Sequence, residues 1–190
     1  ISDCLVGSEM CIRDSTSSGQ SGSVVYMVAH GLSTDALFLT AGFLMSRRRD
    51  SALIADYGGV NKVAPVLAGF FLVAALSSLA LPGLVSFVGE FLVLLGAFER
   101  YLWVGALGTL GIVITAAYVL RLYQKSITGP ANPSIEGMTD LKGREITALV
   151  PIAALSITLG LYPAPLLNVI NPTVDWTMNT ISAVDPEPVV

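Results

Sequence analysis

Residues 64–98 read APVLAGFFLVAALSSLALPGLVSFVGEFLVLLGAF, and in this whole stretch the only charged side chain is Glu90. An unbroken helix of that length would run roughly 50 Å, well beyond the roughly 30 Å of a bilayer's hydrocarbon core. The stretch must therefore be interrupted. Leu81-Pro82-Gly83 is the place: proline removes a backbone donor and clashes with the preceding turn, and glycine opens the torsions needed for a change of direction. Backbone groups freed at such depth are tolerated only against protein or a water-filled cavity, so a broken membrane helix marks a transport path. Glu90 follows the break by two turns. A carboxyl group in an apolar span costs several kcal/mol and points to an ion pathway. The alternative is a proline kink that only shapes packing, with Glu90 salt-bridged to a neighbour.

Composition agrees with a membrane setting. Hydrophobic residues make up 53% of the chain and charged ones 13%, and the mean hydropathy is +0.72, which moves a chain of 190 residues out of the soluble class. The net charge of −4 resides in loops and the last residues, and no basic patch suggests nucleic acid. Cys4 and Cys11 have no metal-ligand spacing and carry no disulfide argument.

Outward from the broken stretch, three further apolar runs of span length are expected: 23–45, 101–123 and 146–167. Together with 64–98, broken at 81–83, they make an all-α polytopic membrane protein of four transmembrane spans. Residues 1–15, ISDCLVGSEMCIRDS, have neither a signal peptide's apolar region nor a span's length. They resemble translated adapter sequence and are expected to be a non-native leader. TSSGQSGS, from Thr16, is then a polar lead-in. Pro163 and Pro165 are expected to help end the last span, leaving 168–190 as a short interfacial or solvent-exposed tail with Trp176 at the lipid surface.

The first span contains His30 and Asp35. Helical spacing puts Tyr26, His30 and Thr34 on one face, with Asp35 about 140° away from His30. A lone histidine in a membrane is as readily a hydrogen-bonded packing residue as a functional one. In the third span Gly105, Gly108, Thr109, Gly111 and Thr115 suggest close helix packing rather than chemistry.

Positive residues accumulate on the cytoplasmic side. If the broken stretch crosses once, the 46–62 and 124–145 loops share a side and hold seven Lys and Arg, against Arg100 alone on the other; if it crosses twice, the division is five against three. The single crossing is better, and it makes the C-terminus extracytoplasmic. His30 and Glu90 then each lie about 10 to 12 Å below the outer boundary. Whether they face each other is set by packing.

MVAHGLSTDALFLTAGFL, ADYGGVNKVAP, LPGLVSFVGEFLVLLGAF and LGLYPAPLLNVINPTV resemble, in order and spacing, the last third of the antiporter-like membrane subunits of respiratory NADH:quinone oxidoreductase, of the chain M or subunit 4 type. The loops and tail are most similar to an actinobacterial member. The resemblance covers about residues 16–190. It implies membership in a fold of fourteen spans with two inverted five-helix repeats, each containing a discontinuous helix, and a hydrated line of Lys, His and Glu along the mid-plane. By that pattern Glu90 holds the ionisable position of the second discontinuous helix, where sister chains generally carry Lys, and His30 matches the histidine of the preceding helix; both would transfer protons. No role carries over to Asp35, and the first repeat's Glu and Lys are not among residues 16–190.

The resemblance further implies a subunit of a proton-translocating oxidoreductase in a bacterial plasma membrane, coupled to quinone reduction. It holds no cofactor and no metal itself, with NADH, FMN, iron-sulfur clusters and quinone handled by other subunits. Its partners would be neighbouring membrane-arm subunits and lipid. In physical terms, apolar surroundings favour the neutral, proton-carrying form of a carboxyl group, and a nearby cation or water restores the anion. The rival readings are a subunit of a multi-subunit cation/proton antiporter, disfavoured by Glu at position 90, and a non-conducting membrane scaffold fragment.

Overall fold

The computed structural model describes residues 16–48, 51 and 53–181; the expected leader, 1–15, and the closing Asp-Pro-Glu-Pro lie outside the described residues. Among these are seven α-helices: α1 (Ser17–Ser46), α2 (Val60–Val63), α3 (Pro65–Ser78), α4 (Val85–Arg100), α5 (Leu102–Ser126), α6 (Gly143–Leu161) and α7 (Ala164–Thr180). Helices α1, α5 and α6 are long and apolar enough to cross a membrane, whereas α3 is apolar but short. The TSSGQSGS lead-in belongs to α1, which starts at Ser17 rather than at Ser23. Thr16 caps α1, its hydroxyl accepting the Gly19 N–H at 3.0 Å, which satisfies a donor that the first turn would otherwise leave free.

Helix α1, about 45 Å long, is the spine. Near its C-terminal end Leu44 packs in one core with Leu67 and Phe71 of α3, and Ser33 and Ala36 lie beside Val73 and Ser77. Its N-terminal half runs against α4. There an added Cβ on Gly22 would stand 2.6 Å from Leu92 Cβ, on Gly89 2.7 Å from Tyr26 Cα, and on Gly96 2.8 Å from Gly19 Cα. Such backbone-to-backbone approach needs glycine, and small residues are what bring helices together in lipid. Both pairings are antiparallel, so α3 and α4 follow one another along a single continuous partner. Helix α5 returns beside both, with Phe98 against Gly105, Leu94 against Gly108 and Phe71 against Tyr123. Of the expected packing residues, Gly111 has nothing close to it.

Between α3 and α4 the backbone is fully specified. Leu81 N–H bonds to Leu76 C=O at 3.3 Å and Ala80 N–H to Ser77 C=O at 3.1 Å, with Ala80 at φ +50°. This is the paired closure that ends a helix on a left-handed residue. Leu84 N–H then bonds to Leu81 C=O, with Pro82 second and Gly83, φ +98°, third in the turn, as a type II turn requires. Helix α3 thus ends at Ser78, before Leu81-Pro82-Gly83: the terminator is Ala80, a residue type that usually avoids this conformation.

Helix α6 runs through Pro151 but stops at Leu161 instead of Leu167, and residues 164–180, which include the end of the expected span and most of the expected tail, form α7. Pro163 ends α6. Pro165 falls in the first turn of α7, where a missing N–H costs nothing. Ile170, Val174 and Met178 then recur every fourth residue and pack on Val25 of α1, while Trp176 points outward, 69% exposed.

The loops at the C-terminal end of α1 interlock. Arg47 donates to Thr139 C=O at 2.8 Å and pairs with Glu145, and Asn132 N–H bonds to Gly58 C=O at 3.1 Å. Asp140 caps α3, accepting from Val66 and Leu67 N–H at 2.9 Å each. Partial burial pushes its carboxyl up, but donation by Val66, Leu67 and Leu141 and the Arg47 charge outweigh this and hold it below the usual carboxylate range. A depressed folded pKa means stabilisation present above the unfolded value, about 3.9, and lost as pH falls through the folded one. Asp140→Ala should therefore cost about 1 kcal/mol at neutral pH and less below pH 4, measured by thermal unfolding of the detergent-solubilised protein. An equal loss at both pH values would show that the carboxylate charge is irrelevant.

Candidate functional site

On α1 the Tyr26–His30–Thr34 face exists as spaced. The Tyr26 and His30 rings stack with centroids 5.9 Å apart, and Thr34 Oγ1 lies 3.4 Å from His30 Nε2. These three residues line a cavity of about 310 Å³ between α1, α3, α4 and α5. Other hydroxyls on its wall are Ser33, Ser77, Ser78, Ser86, Thr115 and Tyr118. Polar groups in such number, in a space several waters wide, make it a site that water would fill. Thr115, read from the sequence as packing, belongs to this wall.

Glu90 is half-buried on α4. The contact of Gly89 with Tyr26 sets it level with Tyr26 and about 6 Å, one turn, from His30 along the α1 axis. Glu90 is not among the residues lining the cavity, whereas Tyr26 and His30 are. Asp35 is exposed and takes no part in the cavity. Among the described residues no cluster of three His, Cys, Asp or Glu side chains could hold a metal ion.

Sequence reasoning missed the serines at the break. Ser77, at the end of α3, lies 3.4 Å from Ser86 Oγ on α4 and 3.1 Å from Ser156 Oγ on α6. All three are buried. These hydroxyls partner one another where lipid would offer no partner. Single serines in apolar runs carry no periodic signal, and only the meeting of three helices gives them a role.

A family model described as NADH:quinone oxidoreductase/Mrp antiporter, transmembrane, matches residues 5–115. The chain belongs to that family. The NADH:quinone oxidoreductase/Mrp antiporter family accounts for the all-helical, multi-pass membrane architecture. Subunit M of NADH-quinone oxidoreductase from Mycobacterium tuberculosis is 54% identical over 175 residues, covering 92% of this chain and 32% of the relative. The chain spans about a third of the length of the curated relatives it matches. Among solved structures, respiratory complex I from Thermus thermophilus with bound NADH superposes with a TM-score of 0.80 at 30% identity, covering 92% of this chain and 38% of that one. The Mrp complex of Dietzia sp. DQ12-45-1b superposes at 0.76 with 17% identity, over 90% of this chain and 40% of that one, and shares the fold. The expected likeness to the M-type subunits is thereby met.

Proposed function

We propose that this chain is the C-terminal part of a membrane-arm subunit of respiratory NADH:quinone oxidoreductase and carries part of its proton-translocation path. The observation that carries this reading is Glu90, a carboxyl group two turns past a helix break and one turn from His30 along the α1 axis. Helices α3 and α4 act as one discontinuous membrane crossing: both run antiparallel to α1, one after the other. Glu90 and His30 take up and release protons, while redox cofactors and quinone belong to other subunits. Neighbouring antiporter-like subunits and lipid cover the apolar exterior. A multi-subunit cation/proton antiporter shares the fold, but identity to the M-type subunits is much higher. The deciding experiment is Glu90→Gln in the intact complex, with proton translocation as the readout.

A single crossing also orients the chain. The 46–62 and 124–145 loops, which hold seven Lys and Arg, meet at one end through Arg47 and Glu145, and this end faces the cytoplasm of a bacterial plasma membrane. The turn at Glu99 and the C-terminus face the other side. Single cysteines at Ser51 and Glu99 of the complete protein should label from opposite sides with a membrane-impermeant reagent; same-side labelling would mean that the segment folds back.

A further inference from the structure

We infer that Tyr26 is a proton-relay residue, its hydroxyl linking Glu90 to the cavity that holds His30; this rests on the proton-path reading above. Glu90 does not line that cavity, whereas Tyr26 does. Its backbone is the contact point of α1 with α4 beside Glu90, through Gly89. Its ring lies on His30 and forms part of the cavity wall. Tyr118, the other phenol on the wall, is 59% exposed and sits on α5.

A hydroxyl can accept one hydrogen bond while donating another. As the Glu90 carboxyl O–H bond breaks, its proton forms a new O–H bond on the Tyr26 oxygen. The original phenolic O–H bond breaks in concert, and that proton passes to a cavity water or to a neutral His30 nitrogen. The phenol is left as it began, Glu90 as a carboxylate, and the charge has moved one site onward. Rotation about the C–O bond resets the donor. Neither tyrosinate nor an oxidant is needed.

The test compares variants of the intact complex in inverted membrane vesicles, with NADH-driven proton uptake as the signal. Tyr26→Phe keeps the ring and its stack on His30 and removes only the hydroxyl. It should lower proton pumping roughly tenfold or more, raise the D2O effect on the remaining rate, and leave quinone-independent NADH oxidation unchanged. Wild-type pumping by Tyr26→Phe alongside failure of Glu90→Gln would overturn the relay and leave the path through Glu90 intact. Normal pumping by both variants would overturn the path, and the relay with it. Should Phe impair assembly, difluorotyrosine in place of Tyr26 keeps the hydroxyl but makes it more acidic. A displaced pH profile of pumping would then support the relay, and an unchanged one would sink it.

Discussion

Glu90→Gln should leave the complex assembled and remove most of its proton pumping. Glutamine preserves length and hydrogen-bonding capacity but cannot ionise. A neutral side chain is also cheaper to bury than a charged one, so folding is not at risk at this half-buried position. On the proposed reading, what disappears is the alternation between a protonated and an anionic carboxyl group, which an apolar surrounding and an entering water would otherwise control. Loss of a proton-transfer group is worth roughly a hundredfold or more in rate, and quinone-linked NADH oxidation should fall in parallel where pumping and oxidation are tightly coupled. Glu90→Lys is the sharper variant, because lysine is ionisable but of opposite charge: partial activity would mean that the site needs an ionisable group more than a negative one. Normal pumping by the Gln variant would falsify the proton-carrier role and return Glu90 to a packing role.

The second large effect is expected one residue earlier. Gly89→Leu should prevent stable assembly, because the first added carbon already stands 2.7 Å from both Tyr26 Cα and Tyr26 N, which are backbone atoms that cannot step aside. Overpacking of this kind costs about 1–3 kcal/mol even where neighbours can shift, and here helix α4 must move off α1 as a whole. Gly31, also on α1, has nothing within 4 Å of an added Cβ, so Gly31→Ala is the matched control and should assemble normally. Blue native electrophoresis of solubilised membranes separates the two results. Equal assembly of both variants would show that the close crossing of α1 and α4 does not hold this half of the protein together.

What the sequence discloses here follows from which forces are local. The interruption near Pro82-Gly83 is legible because both residues act on their own backbone torsions, and the Tyr26–His30–Thr34 face is legible because one helical period determines it. The site of the helix end three residues earlier is not, since Ala80 takes a left-handed conformation that its side chain disfavours and the surrounding hydrogen bonds impose. Helix α7 is hidden by Pro163, Pro165 and Pro172, although its Ile170, Val174 and Met178 stripe is in plain view once a helix is granted. The serine bridge and the place of Tyr26 on the cavity wall depend on how each helix is rotated about its axis. That rotation is a property of the packed assembly and of no single segment.

Gly160 gives the broken segment a mechanical character. The backbone of α6 lies directly on the turn at that residue, so close that an added Cβ would stand 2.5 Å from Gly83 O, and Ser156, one turn earlier, holds Ser77. The gap in the helix is therefore clamped. A swing of α4 about the turn would have to prise α6 away and break a buried hydroxyl bridge. On the proposed reading, protons cross a frame fixed at the break, and the moving parts are side-chain torsions and the order of water molecules, which change in picoseconds to nanoseconds rather than over the microseconds to milliseconds of a domain hinge.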